Sequence, residues 1–332
     1  MARTQRNLFA AVVLFFTAPL VAEFLLGDLT INLLSALVAL APMYGGGALL
    51  IREVVRRSGR GWPAILLLGG AYTIVEEAFV TQSLFNPDYL RLHMHFLSHG
   101  WIPALHIGVW WTLFMFNLHT FWSISVSIAL VEALFPAQAE QPWLGRLGDS
   151  VTAVLFLFGC AACIFFTLHQ DPFVATSVQF IVAGVACLAF IARAFSTKTR
   201  SPRTAVGSVP PPVVTGIAAF LLGFGVLMIP SAWNWGAFAA MLSIDVIFLI
   251  ALSALSRRAA WTPLHVLSLA AGGAFAYGIH AFIQKPVSGG STLLVRSGNA
   301  VFLAAAISVV LIAALRTSRS LRAGAAQTAP AS

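Results

Sequence analysis

Residues 31–82 read INLLSALVALAPMYGGGALLIREVVRRSGRGWPAILLLGGAYTIVEEAFVTQ. Two apolar stretches, 31–51 and 62–82, flank a short loop that carries Arg52, Arg56, Arg57 and Arg60. Each stretch matches the ~20 residues that a helix needs to cross a hydrocarbon core. The arginines between them mark a loop on the cytoplasmic side, where Lys and Arg accumulate.

Working outward, the pattern repeats. Apolar runs lie at 8–26, 31–51, 62–82, 105–134, 150–168, 174–195, 212–230, 235–256, 263–283 and 297–315. Spanning segments must satisfy their own backbone polar groups, and continuous runs rather than ~10-residue alternating strands choose helices over a barrel. Of the 19 Lys and Arg, 16 fall in every second connection: Arg3, Arg6; Arg52, Arg56, Arg57, Arg60; Arg146; Arg193, Lys198, Arg200, Arg203; Arg257, Arg258; and Arg316, Arg319, Arg322. Only Arg91, Lys285 and Arg296 fall in the others. The fold class is therefore all-α, a polytopic helical membrane bundle of about ten transmembrane helices with both termini on the cytoplasmic side.

Composition agrees. The 332 residues are 59% hydrophobic and 9% charged, against about a quarter charged in a soluble domain. The net charge of +8 sits at helix ends on one side, which fits anionic lipid headgroups as partners and not nucleic acid. Arg-rich, Lys-poor and Ala-rich usage suggests a bacterial inner (cell) membrane. Arg3 and Arg6 before an apolar run resemble a signal peptide, but the run is long and no small-x-small site follows, so it reads as a retained first helix.

Residues 1–195 form a six-helix membrane region with a candidate polar site. Residues 196–211, rich in Pro, Ser and basic side chains, read as a flexible cytoplasmic linker. Residues 212–316 form a four-helix region, and 317–332 read as a disordered tail. A five-plus-five inverted repeat would make Glu76, Glu77 and Asp245 correspond, although the residues around them do not match. Cys160, Cys163 and Cys187 lie in apolar runs and imply no disulfide framework; Cys160 and Cys163 form a CxxC that is either a redox pair or two small residues on one helix.

Ionisable groups inside a membrane default to functional candidates, and they concentrate in 72–132. Adjacent helical residues point ~100° apart, so Glu76 and Glu77 are not expected to face one partner squarely. Glu77 shares a stripe with Gly70, Thr73 and Thr81 and is the favoured inward group. His119, with Thr112, Ser123 and Ser127, lies on a polar face of the fourth span. It reads as a proton relay, a metal ligand or a satisfied core histidine, and a Glu77–His119 contact is plausible if the spans pair. Asp245 is a second proton-coupling candidate needing a partner from another helix, with His280 proposed. His95 and His99 stand four apart, a helical spacing for metal ligation, with His106 nearby. Pro42 and Gly45–Gly47 read either as exposed carbonyls for a substrate or as a tight helix crossing. Glu132 reads as structural, and Arg52–Glu53 as a salt-bridge cluster at headgroup level.

Glu76-Glu77 followed by a mid-helix histidine resembles the di-glutamate intramembrane proteases related to CAAX prenyl endopeptidases, the CPBP family, over residues 76–119. That family's pattern runs EExxxR, FxxxH and then an HxxxN-type motif. Here Thr81 stands in place of the Arg, Met115 in place of the Phe, and no third motif follows at a sensible distance. The resemblance implies a membrane-embedded hydrolase whose catalytic residues are Glu76, Glu77 and His119, with a glutamate-activated, metal-assisted water. Read from the residues alone, the leading expectation is a proton-coupled transporter or permease for a small molecule or ion, using Glu77, His119 and Asp245. A non-catalytic scaffold or accessory subunit is the third. The sequence names no cofactor, substrate or oligomeric state.

Overall fold

A computed structural model describes residues 7–199, 203–287, 289–290 and 292–328. Arg3, Arg6 and Arg200, which contribute to the orientation argument, lie outside the described residues. Among the described residues, ten helices match the ten apolar runs one to one. They are α1 (Leu8–Leu25), α2 (Ala36–Arg57), α3 (Trp62–Val80), α4 (Val109–Leu134), α5 (Arg146–Gln170) and α6 (Ser177–Phe195). They continue with α7 (Pro212–Met228), α8 (Trp235–Leu255), α9 (Pro263–His280) and α10 (Thr292–Thr328). Eight are long and apolar enough to cross a membrane; α7 is shorter, and α9 is largely buried among its neighbours. The protein is an all-α polytopic membrane bundle.

Local sequence sets the helix starts. Asn7 accepts from the Ala10 amide at 3.0 Å and begins α1. Thr176 and Gln179 form a reciprocal capping box at α6, satisfying donors that the first turn would leave unpaired. Pro occupies the first turn of α3, α7 and α9, where its missing N–H is not needed.

The centre of the bundle is α4, whose most apolar window is 78% buried, against 6% for α8 and 11% for α6. It packs against α1, α3, α8, α9 and α10. The outer helices turn Val154, Leu157, Phe158, Leu188 and Ile250 outward, as lipid-facing surfaces require. Trp122 of α4 stacks on Tyr277 of α9 with ring centres 4.6 Å apart and donates to the Gly273 carbonyl at 2.8 Å.

Three helices widen from α- to π-type hydrogen bonding within their span: Leu20–Leu25 of α1, Val75–Val80 of α3 and Leu118–Val126 of α4. The Pro42–Gly47 stretch stays within an uninterrupted α2. Its glycines make close crossings: a Cβ on Gly45 would stand 1.9 Å from the Phe15 carbonyl oxygen of α1. The tight-crossing reading is the one observed.

At the basic end, Arg52 and Glu53 form the expected salt-bridge cluster and lie fully inside the protein. Arg52 contacts Glu53 at 2.6 Å and Glu132 at 3.0 Å, while Arg56 grips Glu132 with two bonds of 2.7 and 2.6 Å. Glu53 accepts from the Trp143 and Leu144 amides, and Arg52 covers the Trp143 ring. Every charge has a partner, the condition under which burial is tolerable. Glu132 thus joins α2 to α4, as its structural reading required.

Residues 317–328 continue α10, because Ala, Leu and Arg are strong helix formers; residues 329–332 of the expected disordered tail lie outside the described residues. In the 196–211 connection, of which 200–202 lie outside the described residues, Arg203 donates to the Ser256 and Trp261 carbonyls at 3.1 and 2.8 Å, and the Ala259 amide donates to the Ala205 carbonyl.

Candidate functional site

The π-type segments each deliver acids or a histidine to one point. Glu76 and Glu77 lie in the π turn of α3, His119 in that of α4 and Glu23 in that of α1. Such segments interrupt regular helices mostly at functional positions. Their i→i+5 bonding also changes the angular spacing, and this overturns the expectation that adjacent glutamates cannot share a partner. The His119 Nε2 is 2.7 Å from Glu77 Oε1, and its Nδ1 is 3.1 Å from Glu76 Oε2. The Glu77 contact is a hydrogen bond; the Glu76 contact is an ion-pair distance off hydrogen-bonding angle.

The surrounding groups fix this geometry. Glu77 Oε2 accepts from Thr81 Oγ1 at 3.1 Å and from Ser83 Oγ, which itself accepts from Trp111 Nε1 at 3.1 Å. Ser123, one α-turn from His119, lies 3.4 Å from Nδ1. The Tyr44 hydroxyl donates to Glu23 Oε1 at 2.6 Å. The rings of Tyr44 and Tyr72 sit 6.2 and 6.1 Å from the imidazole. Glu76, Glu77 and His119 are 2%, 5% and 5% exposed, so their charges act in a low-dielectric setting.

Charge does not balance here. Two buried carboxylates meet one imidazole, with the part-buried Glu23 held by Tyr44 nearby, and among the described residues no Arg or Lys pairs with Glu23, Glu76 or Glu77. Such a cluster holds protons or takes a cation. Glu76, Glu77 and His119 present one ligand atom each, all within 4.8 Å of one another. Two carboxylate oxygens and one imidazole nitrogen match the donor types and number of a catalytic divalent-metal site.

Sequence reading had named Glu76, Glu77 and His119 but not Glu23, Tyr44 or Tyr72. Glu23 carried a signal: it is an acid inside an otherwise apolar run.

The other candidates lie elsewhere. His95, His99 and His106 are not gathered into a metal cluster among the described residues. The loop is not one helix: His95 and His106 take left-handed backbone angles, and a short turn, Phe96–Ser98, separates His95 from His99. His99 packs edge-on to Trp110 and His106 edge-on to Trp101. His106 precedes α4 in a hairpin pairing β1 (Trp101–Ile102) with β2 (Ile107–Gly108).

Asp245 does find a partner from another helix, but it is Asn117, whose Nδ2 donates at 3.0 Å, and not His280. Cys160, Cys163 and Cys187 are free thiols. Outside the spans, Asp28 in the α1–α2 connection accepts from Gln284 Nε2 at 2.8 Å. Burial first, and the nearby Glu23 second, push its carboxyl up to about 7 against the lowering pull of Gln284.

No curated protein and no solved structure matches the chain. A family model does match, across residues 12–331, and the chain therefore belongs to an uncharacterized membrane protein family.

Proposed function

We propose that the protein is a membrane-embedded hydrolase of amide bonds, with its centre at Glu76, Glu77 and His119. The observation that carries the reading is the imidazole held between two adjacent glutamates, at 2.7 and 3.1 Å. A base and a proton carrier that close can act on one water. A scaffold would leave such groups singly buried and satisfied. The di-glutamate and histidine resemblance points the same way, although Thr81 and Met115 depart from that family's motifs.

In this reading Glu77 is the general base. Thr81 and Ser83 orient one of its oxygens while the other faces His119. Water loses a proton to Glu77 as its oxygen bonds to the carbonyl carbon. The C–N bond then breaks, and His119 gives a proton to the leaving nitrogen. Glu77 returns its proton to His119, closing the cycle with one acid and one amine product. Glu76 holds the charged imidazole in place, and Tyr44 positions Glu23 behind it. Were a divalent cation held by Glu76, Glu77 and His119, it would displace the proton between Glu77 and the imidazole and would itself supply Lewis-acid activation of the water in place of that proton relay.

Proton-coupled transport through Glu77, His119 and Asp245 is the second reading. One observation favours it: Asp245 and Asn117 line a cavity of about 530 Å³. None of Glu76, Glu77 and His119 lines that cavity, so it provides no path to the acid–imidazole cluster.

The test uses the full chain in liposomes with a library of end-labelled single-span peptides, with and without zinc, from pH 5 to 9. Wild type is expected to release fragments. Glu77→Gln and His119→Ala should slow release at least ~100-fold, the scale of lost acid–base catalysis, while His106→Ala keeps the wild-type rate. Absence of cleavage by wild type under every condition, with a pH-driven substrate flux that Glu77→Gln abolishes, would replace hydrolysis by transport.

A further inference from the structure

The cavity on the other side of α4 belongs to no part of that centre. It lies between α3 and α4 on one side and α7, α8 and α9 on the other, with a volume of about 530 Å³. That is within the ~300–1,000 Å³ of small-molecule sites. Its walls are mostly apolar, with Trp122, Phe121, Leu222 and Phe248 among them.

Polar groups occur at its two ends. Asn117, in the first third of α4, donates to Asp245 at the middle of α8. Arg203 and Arg257 stand at the opposite end, where α8 finishes at Leu255, together with Ser256 and Trp261. Asp245 is the only acid among the lining residues, and ten residues of α8 separate it from Leu255, beyond which Arg257 stands. At 1.5 Å per residue this is ~15 Å, about half of a ~30 Å hydrocarbon core. The cavity is one leaflet deep.

Its outer wall, α8, is 6% buried along its apolar window and so stands largely in lipid. Arg203 is held at the mouth by its bonds to the Ser256 and Trp261 carbonyls. Two arginines at one end, an apolar shaft of about leaflet length and an outer wall that faces lipid fit one kind of occupant.

We infer that this cavity binds a single phospholipid with an anionic headgroup, drawn from the leaflet on the arginine-rich side. The phosphate lies at Arg257 and Arg203, and an acyl chain runs along Trp122 and Phe121 toward the Asn117–Asp245 pair.

Native mass spectrometry of the purified full chain in detergent tests this, with dioleoyl phosphatidylglycerol and dioleoyl phosphatidylcholine as probes. The expected result is a one-to-one phosphatidylglycerol adduct, several-fold more abundant than the phosphatidylcholine adduct. Sodium phosphate should not displace it relative to sodium chloride of equal ionic strength. Arg257→Gln, in an exposed connection, should weaken phosphatidylglycerol about fivefold, the worth of one basic residue near a charged headgroup. Ser253→Trp, which fills the shaft near its mouth from the exposed face of α8, should reduce both adducts. Circular dichroism confirms that each variant is folded. Equal retention of the two lipids with no effect of Arg257→Gln would overturn the inference. So would a phosphatidylglycerol adduct undiminished by Ser253→Trp, or its displacement by inorganic phosphate, which would mark a simple ion site.

Discussion

Asp28 shows how a single side chain records its surroundings. Its carboxyl is pushed up to about 7, first by burial and then by Glu23. An unfolded aspartate titrates near ~3.9, so the folded state holds a proton that the unfolded state has lost between pH 4 and 7. The protein is therefore stabilised below that window and loses this stability as pH rises through it, with no further change from this group above about 7. Asp28→Asn keeps an acceptor for Gln284 and removes the titration. Its unfolding temperature in detergent should match wild type near pH 4 and exceed it at pH 8. A constant gap across the range would show that the carboxyl is not ionising inside the fold. At this same scale, Glu77 and His119 were readable from sequence because a membrane makes lone acids and histidines conspicuous. Glu23 carried the same signal, an acid inside an apolar run, and was not singled out. What brings it to the centre is the bond from Tyr44, a contact between different helices.

The elements explain the two misreadings at the site. Sequence periodicity assumes an α spacing, and the π segments of α1, α3 and α4 carry no composition that marks them in advance. They let Glu76 and Glu77 converge on one imidazole. The same assumption failed in the opposite direction for His95 and His99, where i,i+4 spacing has meaning only on a continuous helix and the chain forms short turns instead. Where sequence chemistry is steric it was more transparent: Gly45 lies at the α1–α2 crossing, with Phe15 backbone where a Cβ would be. Gly45→Ala should lower the unfolding temperature by more than ordinary overpacking, ~1–3 kcal/mol, because the backbones themselves must part. Gly184→Ala is the comparison. Its nearest neighbour would be Phe79 Cζ at 3.9 Å, and a helical Gly→Ala change without a clash is neutral or stabilising. Equal effects of the two substitutions would remove the crossing from the account.

For the whole molecule, the arginine pattern and the apolar runs were enough to place ten helices, because bilayer thickness sets the length of each run. They were not enough to pair them. The Trp122–Tyr277 stack and the Asn117–Asp245 bond join the first six helices to the last four across more than a hundred residues, which no local pattern encodes. Orientation is the global property that the charges alone assign, and it has a direct measurement. Arg91 lies in the connection between α3 and α4, and Ser208 in that between α6 and α7; both are exposed. Three helices separate them, an odd number of crossings, so the two positions must face opposite compartments. In a background with Cys160, Cys163 and Cys187 changed to Ala, Ser208→Cys should react with a membrane-impermeant maleimide only in inverted vesicles. Arg91→Cys should react only in right-side-out ones. If both positions label from the same side, one of α4, α5 and α6 does not cross. If they label from opposite sides in the reverse sense, the bundle stands but the basic face is external. In that case the deep carboxylates of Glu76 and Glu77, near the far end of α3 from Arg60, would open toward the cytoplasm.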